Sequence, residues 1–193
     1  ITIMKKSILL ALMAAALFST TLQAADYIID KRGAHASINF KIKHLGYSWL
    51  TGRFENFEGQ FSYDATKPES SKISVLVDTT SISSNHAERD KHLKSNDFLE
   101  VSKFTSATFT STSMKELKDG SMTINGVLSL HGIEKNIVID AQKIGEGNDP
   151  WGGYRAGFSG TTRIGLKDFG IDTNLGPSST HVELELHIEG IRQ

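Results

Sequence analysis

Between Asn85 and Leu99 the chain reads Asn-His-Ala-Glu-Arg-Asp-Lys-His-Leu-Lys-Ser-Asn-Asp-Phe-Leu, its densest collection of proton-carrying and metal-ligating groups. His86 and His92, with Glu88, Asp90 and Asp97, could in principle exchange protons near neutral pH or offer nitrogen and oxygen ligands to zinc. Their spacing argues against both. At ~100° per residue, His86 and Asp90 share one side of a helix, Glu88 and His92 share another, and the two histidines diverge by ~120°. No His-Glu-x-x-His pattern occurs, and the chain contains no cysteine. Zinc would therefore need ligands from other elements. The bland alternative is a solvated helix over His86 to Lys94, N-capped by Ser83, Ser84 or Asn85. Ion pairs from Glu88 to Lys91 or His92, and from Asp90 to Lys94, would add tenths of a kcal/mol each. This reading leaves Arg89 and Asp90, beside the apolar Leu93, Phe98 and Leu99, without an explanation. A stress-related hydrolase or isomerase using His86, Glu88, Asp90 or His92 is carried as the alternative function.

Other catalytic patterns fail sooner. Gly157-Phe158-Ser159-Gly160-Thr161 nearly spells a nucleophile elbow, but the closing glycine is missing and the surrounding pattern is strand. Gly145-Glu146-Gly147 leads into a loop, not into a phosphate-cradling helix. His35, His131, His181 and His187 fall in strands or turns, where a solvated polar-face role is the simplest reading. No catalytic residue and no metal ligand is assigned.

The elements that would position these groups are strands. His35 to Lys43 and Val182 to Glu189 alternate polar and apolar residues, the signature of one wet and one apolar face. Weaker alternation runs over Phe57 to Tyr63, Lys72 to Asp78, Thr105 to Ser111, Met122 to Leu130, Asn136 to Ile144 and Tyr154 to Leu166. Lys118-Asp119-Gly120 and His131 to Lys135 read as hairpin turns. About eight antiparallel strands and one short helix make an all-β sandwich or up-and-down barrel. Glycines within strands, including Gly52, Gly59, Gly157 and Gly160, favour the bends of a barrel. Such a barrel is either filled by its own side chains or holds one small ligand, and the pattern by itself leaves both open.

Residues 1–24 read as an upstream extension followed by a secretory signal peptide: Lys5 and Lys6, an apolar run from Ile8 to Phe18, and small residues before a cleavage site after Ala24. The run is shorter than the ~20 residues needed to span a bilayer, and no other segment is apolar enough. Residues 25–193 then form a single domain. Losing Lys5 and Lys6 takes the formal charge from −1 to −3. A mildly acidic chain lacks the basic footprint of a nucleic-acid binder. Export without disulfides points to the bacterial periplasm.

Several motifs resemble the YceI family. His44-Leu45-Gly46-Tyr47-Ser48-Trp49-Leu50 with Gly52-Arg53-Phe54 is similar to its first signature. The stretch from Asn85 to Ser95, with Asp97-Phe98-Leu99, is similar to its second. Asp149-Pro150-Trp151-Gly152-Gly153 and Leu166 to Gly170 complete a resemblance in the expected order, closest to periplasmic YceI proteins of gamma-proteobacterial type. It implies an extended lipocalin-like antiparallel barrel with a helix near one end, and a polyisoprenoid, isoprenoid quinone or similar amphiphile in the lumen. No cofactor is required beyond such a lipid. The implied protein is a periplasmic carrier or sequestering protein rather than an enzyme, with a homodimer as the assembly the family suggests. Strand phase then assigns Phe40, Trp49, Phe54, Phe61, Val75, Val77, Phe109, Phe158, Ile164 and Leu184 to the lumen. His44 and Arg155 are assigned to the mouth or head group. Arg89, Asp90, His92, Asp97 and Phe98 are taken as structural members of the helix signature. A protein-interaction module using the Trp49 or Trp151 loop is the remaining reading.

Overall fold

A computed structural model describes residues 24–193, so the leader read at the start of the chain lies outside the described residues except for Ala24. Eleven strands follow in order: β1 Ala25–Ile29, β2 Ser37–His44, β3 Ser48–Phe54, β4 Phe57–Tyr63, β5 Lys72–Asp78, β6 Ile82–Ser83, β7 Ser106–Glu116, β8 Ser121–Leu130, β9 Ile133–Asn148, β10 Tyr154–Gly165 and β11 His181–Arg192. Among the described residues one α-helix, α1 Ala87–Leu93, interrupts them after β6, and three short 3-10 turns, Pro68–Ser70, Thr79–Ser81 and Leu166–Phe169, lie between strands.

The strands form a single antiparallel sheet in the order β1-β4-β5-β7-β8-β9-β10-β11-β2-β3-β6, and β1 also pairs with β11. That last pairing closes the barrel. Three of its staves are kinked, each by a short break: β1 with β2, β3 with β4, and β5 with β6. Counting each kinked pair once yields the eight-stranded barrel expected from the alternation. β1, β3 and β6 escaped that reading because a stave broken after two to seven residues carries too little period-2 signal.

Turn chemistry sets the register. Asp119 accepts hydrogen bonds from the Ser121 backbone (3.0 Å) and hydroxyl (2.6 Å), and Gly120 takes φ +81° between β7 and β8. His131 and Gly132 both have positive φ in the two-residue turn joining β8 to β9, as a type I′ hairpin needs. β9 carries a bulge opposite Gly157 and Phe158, so the glycine there marks a bend as anticipated.

Three strand glycines do something else: they make room for aromatic rings pointing into the barrel. Gly52 pairs with Phe40, and a Cβ on it would lie 2.3 Å from that ring. A Cβ on Gly126 would meet the Phe109 ring at 2.4 Å and a backbone oxygen at 2.6 Å. Gly190 stands in the same relation to Phe61, at 2.4 Å. Gly126→Ala is therefore expected to lower unfolding free energy by about 1–3 kcal/mol, with partial recovery in Gly126→Ala/Phe109→Leu. Urea denaturation of the single and double variants checks this.

Candidate functional site

Inward-facing side chains do not fill the barrel. They form three clusters, centred on Phe61, on Met122 with Ile139, and on Phe98 with Ile82. Between them runs a cavity of about 710 Å³, within the range of small-molecule sites. The filled-core alternative therefore does not describe this barrel. Tyr63, Met114 and Met122 are buried at its far end. At the other end lie His44, Leu45, Arg89, His92, Leu93, Asn174 and Leu175, from the β2–β3 hairpin, α1 and the segment before β11. No Asp or Glu lines the cavity among the described residues.

Strand phase located the wall well. Phe40, Phe54, Phe61, Val75, Val77, Phe109, Phe158, Ile164 and Leu184 all line the cavity. In the lower half, Phe61 and Phe158 meet edge to face at 5.5 Å, and Tyr63 meets Phe158 at 5.1 Å. Met122, Ile124 and Leu128 also line it but were not singled out. Their alternation with Thr123, Asn125 and Ser129 in β8 is a signal that the same phase argument could have used. Ile171 and Leu175 carry no such signal, because they belong to an irregular segment.

Two assignments are corrected. Trp49 is not in the lumen: Leu50, Gly52 and Phe54 take the inner face of β3, which turns Trp49 outward, 48% exposed. The Nζ atoms of Lys41 and Lys43 lie 5.3 and 5.6 Å from its ring centre. Arg155 is not at the mouth. In β10 the even-numbered residues face inward, so Arg155 lies on the outer face at the opposite end from His44. There its guanidinium donates to Asp30 (2.5 Å), Glu189 (2.6 Å) and Asp149 (2.8 Å). Asp30, His35 and Glu189 are close enough to suggest a metal cluster, but Arg155 already supplies the cation. Of the mouth pair, only His44 borders the opening.

The charged stretch is used structurally. The helix cap is His86 itself, whose Nδ1 accepts from the Arg89 backbone at 3.2 Å. Ser84 is unavailable as a cap because it is bound elsewhere, and Asn85 takes a left-handed turn with φ +60°. Arg89 donates to the Ser84 hydroxyl (2.8 Å) and carbonyl (2.7 Å). Asp90 accepts from the Ser84 backbone N–H at 2.7 Å and from its hydroxyl. Burial pushes the Asp90 carboxyl up, yet the Ser84 hydrogen bonds and the nearby Lys94 and Arg89 charges outweigh it, so it titrates below the ordinary carboxylate value. The anticipated ion pairs within the helix do not form among the described residues. His92 instead meets Asp97 at 3.0 Å and packs edge to face on Phe98. Phe98 and Leu99 are buried, and with Leu93 they hold α1 across part of the barrel end. Asp90→Ala strands the buried Ser84 N–H and is expected to cost about 1–3 kcal/mol. Faster amide exchange over residues 84–94 would accompany it, read by hydrogen-exchange mass spectrometry.

Comparison with known proteins agrees with this architecture. A UPF0312 protein of Shewanella baltica is 57% identical over 191 residues, covering 98% of this chain and 100% of that protein. The crystal structure of a Campylobacter jejuni YceI protein superposes with a TM-score of 0.71 at 27% identity, covering 79% of this chain and 90% of the other. A polyisoprenoid-binding domain from Saccharophagus degradans implicated in plant cell wall breakdown has the same fold, with a TM-score of 0.63 at 14% identity over 88% of this chain and 99% of that one. The model of the YceI-like domain matches residues 27–190, and the chain belongs to that family.

Proposed function

We propose that this protein carries or sequesters a long-chain apolar lipid, a polyisoprenoid, isoprenoid quinone or similar amphiphile, with its tail in the barrel lumen. The observation that carries the reading is the cavity of about 710 Å³, walled by aliphatic and aromatic side chains. Each methylene buried there gains about 0.8 kcal/mol, so tail burial supplies most of the affinity. The charged and imidazole side chains of the lining are gathered at one end, where Lys43, His44, Arg89 and His92, with Asn174, border the opening and would meet a head group. The polyisoprenoid-binding description of the S. degradans domain supports the same ligand class. Residues 1–24 act as a leader that delivers the protein to the periplasm, where it works without a cofactor.

The hydrolase or isomerase alternative loses its support at the charged helix. His86 caps the helix, Asp90 is bound to Ser84, His92 is paired with Asp97, and Glu88 is exposed and lines no part of the cavity. None of them is left as an unpartnered acid or base beside a polar pocket. Native mass spectrometry and organic extraction of protein freshly purified from its host test the carrier reading. A stoichiometric lipid adduct, released by solvent, is the expected result. Repeated recovery of lipid-free protein that also fails to take up a long-chain prenol would end it.

A further inference from the structure

The β2–β3 hairpin carries a surface that neither the fold nor the lumen accounts for. Leu45 is 56% exposed, Tyr47 88% and Trp49 48%, on the hairpin whose Lys43, His44 and Leu45 border the cavity mouth. Loose packing is not the cause. Leu45 and Gly46 take positive φ in a tight turn, Tyr47 N–H donates to His44 O at 3.0 Å, and Ser179 hydroxyl bonds the Lys43 carbonyl. The tip is thus held firmly with its large side chains presented to water. Leu45 also belongs to the cavity wall, so the exposed tip and the apolar lumen are continuous.

The chemistry at the tip is that of a bilayer interface. Tyr and Trp combine an apolar body with a polar edge and concentrate at the level of lipid head groups. Lys43 and Lys41 stack beside the Trp49 ring. Lys41 is engaged by Glu183 and Glu185, whereas Lys43 has no ion-pair partner among the described residues. A free ammonium beside an apolar tip complements an anionic phospholipid surface.

We propose that the Leu45-Tyr47-Trp49 hairpin docks the barrel mouth onto an anionic phospholipid bilayer, the place where a lipid tail can enter or leave the lumen without crossing water. The role in transfer rests on the carrier reading; the docking itself does not. Because Trp151 is the only other tryptophan and is 77% exposed near the opposite end of the barrel, the two residues report orientation. In Trp151→Phe, mixing with vesicles of phosphatidylglycerol and phosphatidylethanolamine should blue-shift Trp49 emission, and brominated acyl chains should quench it. In Trp49→Phe, Trp151 emission should not move. Leu45→Ser/Tyr47→Ser should weaken vesicle partitioning about ten-fold or more, and Lys43→Glu should abolish the preference for phosphatidylglycerol. Lipid content read by native mass spectrometry should persist in Trp49→Phe and Trp151→Phe, whose rings lie outside the lumen.

Unshifted Trp49, a shift at Trp151 instead, or wild-type vesicle binding by Leu45→Ser/Tyr47→Ser would overturn the proposal. So would a serine variant that changes only self-association or only binding to a protein. A lipid-free lumen with Trp49 still inserting would support the docking surface and overturn only the carrier reading.

Discussion

Ala107→Phe combined with Ala141→Phe should empty the lumen of lipid while leaving the barrel folded. Both alanines line the cavity, one on β7 and one on β9, and both are buried. A phenyl ring at each occupies space that a tail would use. Displacing about four methylenes forfeits roughly 3 kcal/mol at 0.8 kcal/mol each, a loss of over 100-fold in affinity. The rings project toward open volume, so the thermal midpoint should hold or rise. Val138→Phe is the matched control: Val138 lies on β9 but faces outward, 49% exposed. Equal lipid content in the lumen-filled variant and the Val138 control would refute lumen binding.

Arg155→Met should be the most damaging single change outside the core. Asp30 is 3% exposed at its side chain and receives Arg155, the Gly33 backbone N–H at 2.8 Å and His35 at 3.3 Å. Arg155 above all, then Gly33, lower the Asp30 carboxyl to about 2, against the opposing effect of burial. Removing the guanidinium strands that carboxylate and unties three segments: the end of β1, the β9–β10 loop through Asp149, and β11 through Glu189. Breaking a buried pair is costly because the remaining charge has no compensation, and a fall in Tm of about 5–10 °C is expected for a domain of this size.

The pH dependence is specific. A carboxyl with a depressed folded-state value stabilises the fold above its unfolded value near 4 and loses that contribution as pH falls toward 2. Wild-type Tm should therefore drop through this window more steeply than that of Arg155→Met, and the deficit of the variant should shrink on acidification. Asp30→Asn/Arg155→Met should recover part of the loss at neutral pH. Thermal melts between about pH 2 and 7 follow all three; a deficit independent of pH would show that Asp30 is not the group left stranded.

Period-2 alternation made most of the wall legible, because a strand's inward residues follow from any single one of them. The same rule exposes the error at Trp49: bulk and aromaticity favoured the lumen, but Leu50 and Phe54 occupy the inner parity of β3. Arg155 was misplaced for a related reason. Its charge suggested a head-group role, whereas its partners, Asp30 and Glu189, are distant in sequence and meet it only when β11 bridges β1 and β10. The charged helix divides the same way. Helical phase argued against a two-histidine metal site, but phase is blind to Ser84, which lies outside the helix and binds both Arg89 and Asp90.

By itself the sequence determined the strand pattern, the approximate strand number, the inward faces and, through its motifs, the family. These are local or periodic properties, carried by residues two positions apart or by short runs. Whether the barrel is filled, how it closes and where each outward charge finds its partner were decided only by the tertiary structure. Those outcomes depend on the ring closure between β1 and β11, on the space that Gly52, Gly126 and Gly190 leave for facing rings, and on the placement of α1 across one end. No periodicity encodes them, because they are sums over contacts between residues far apart in the chain.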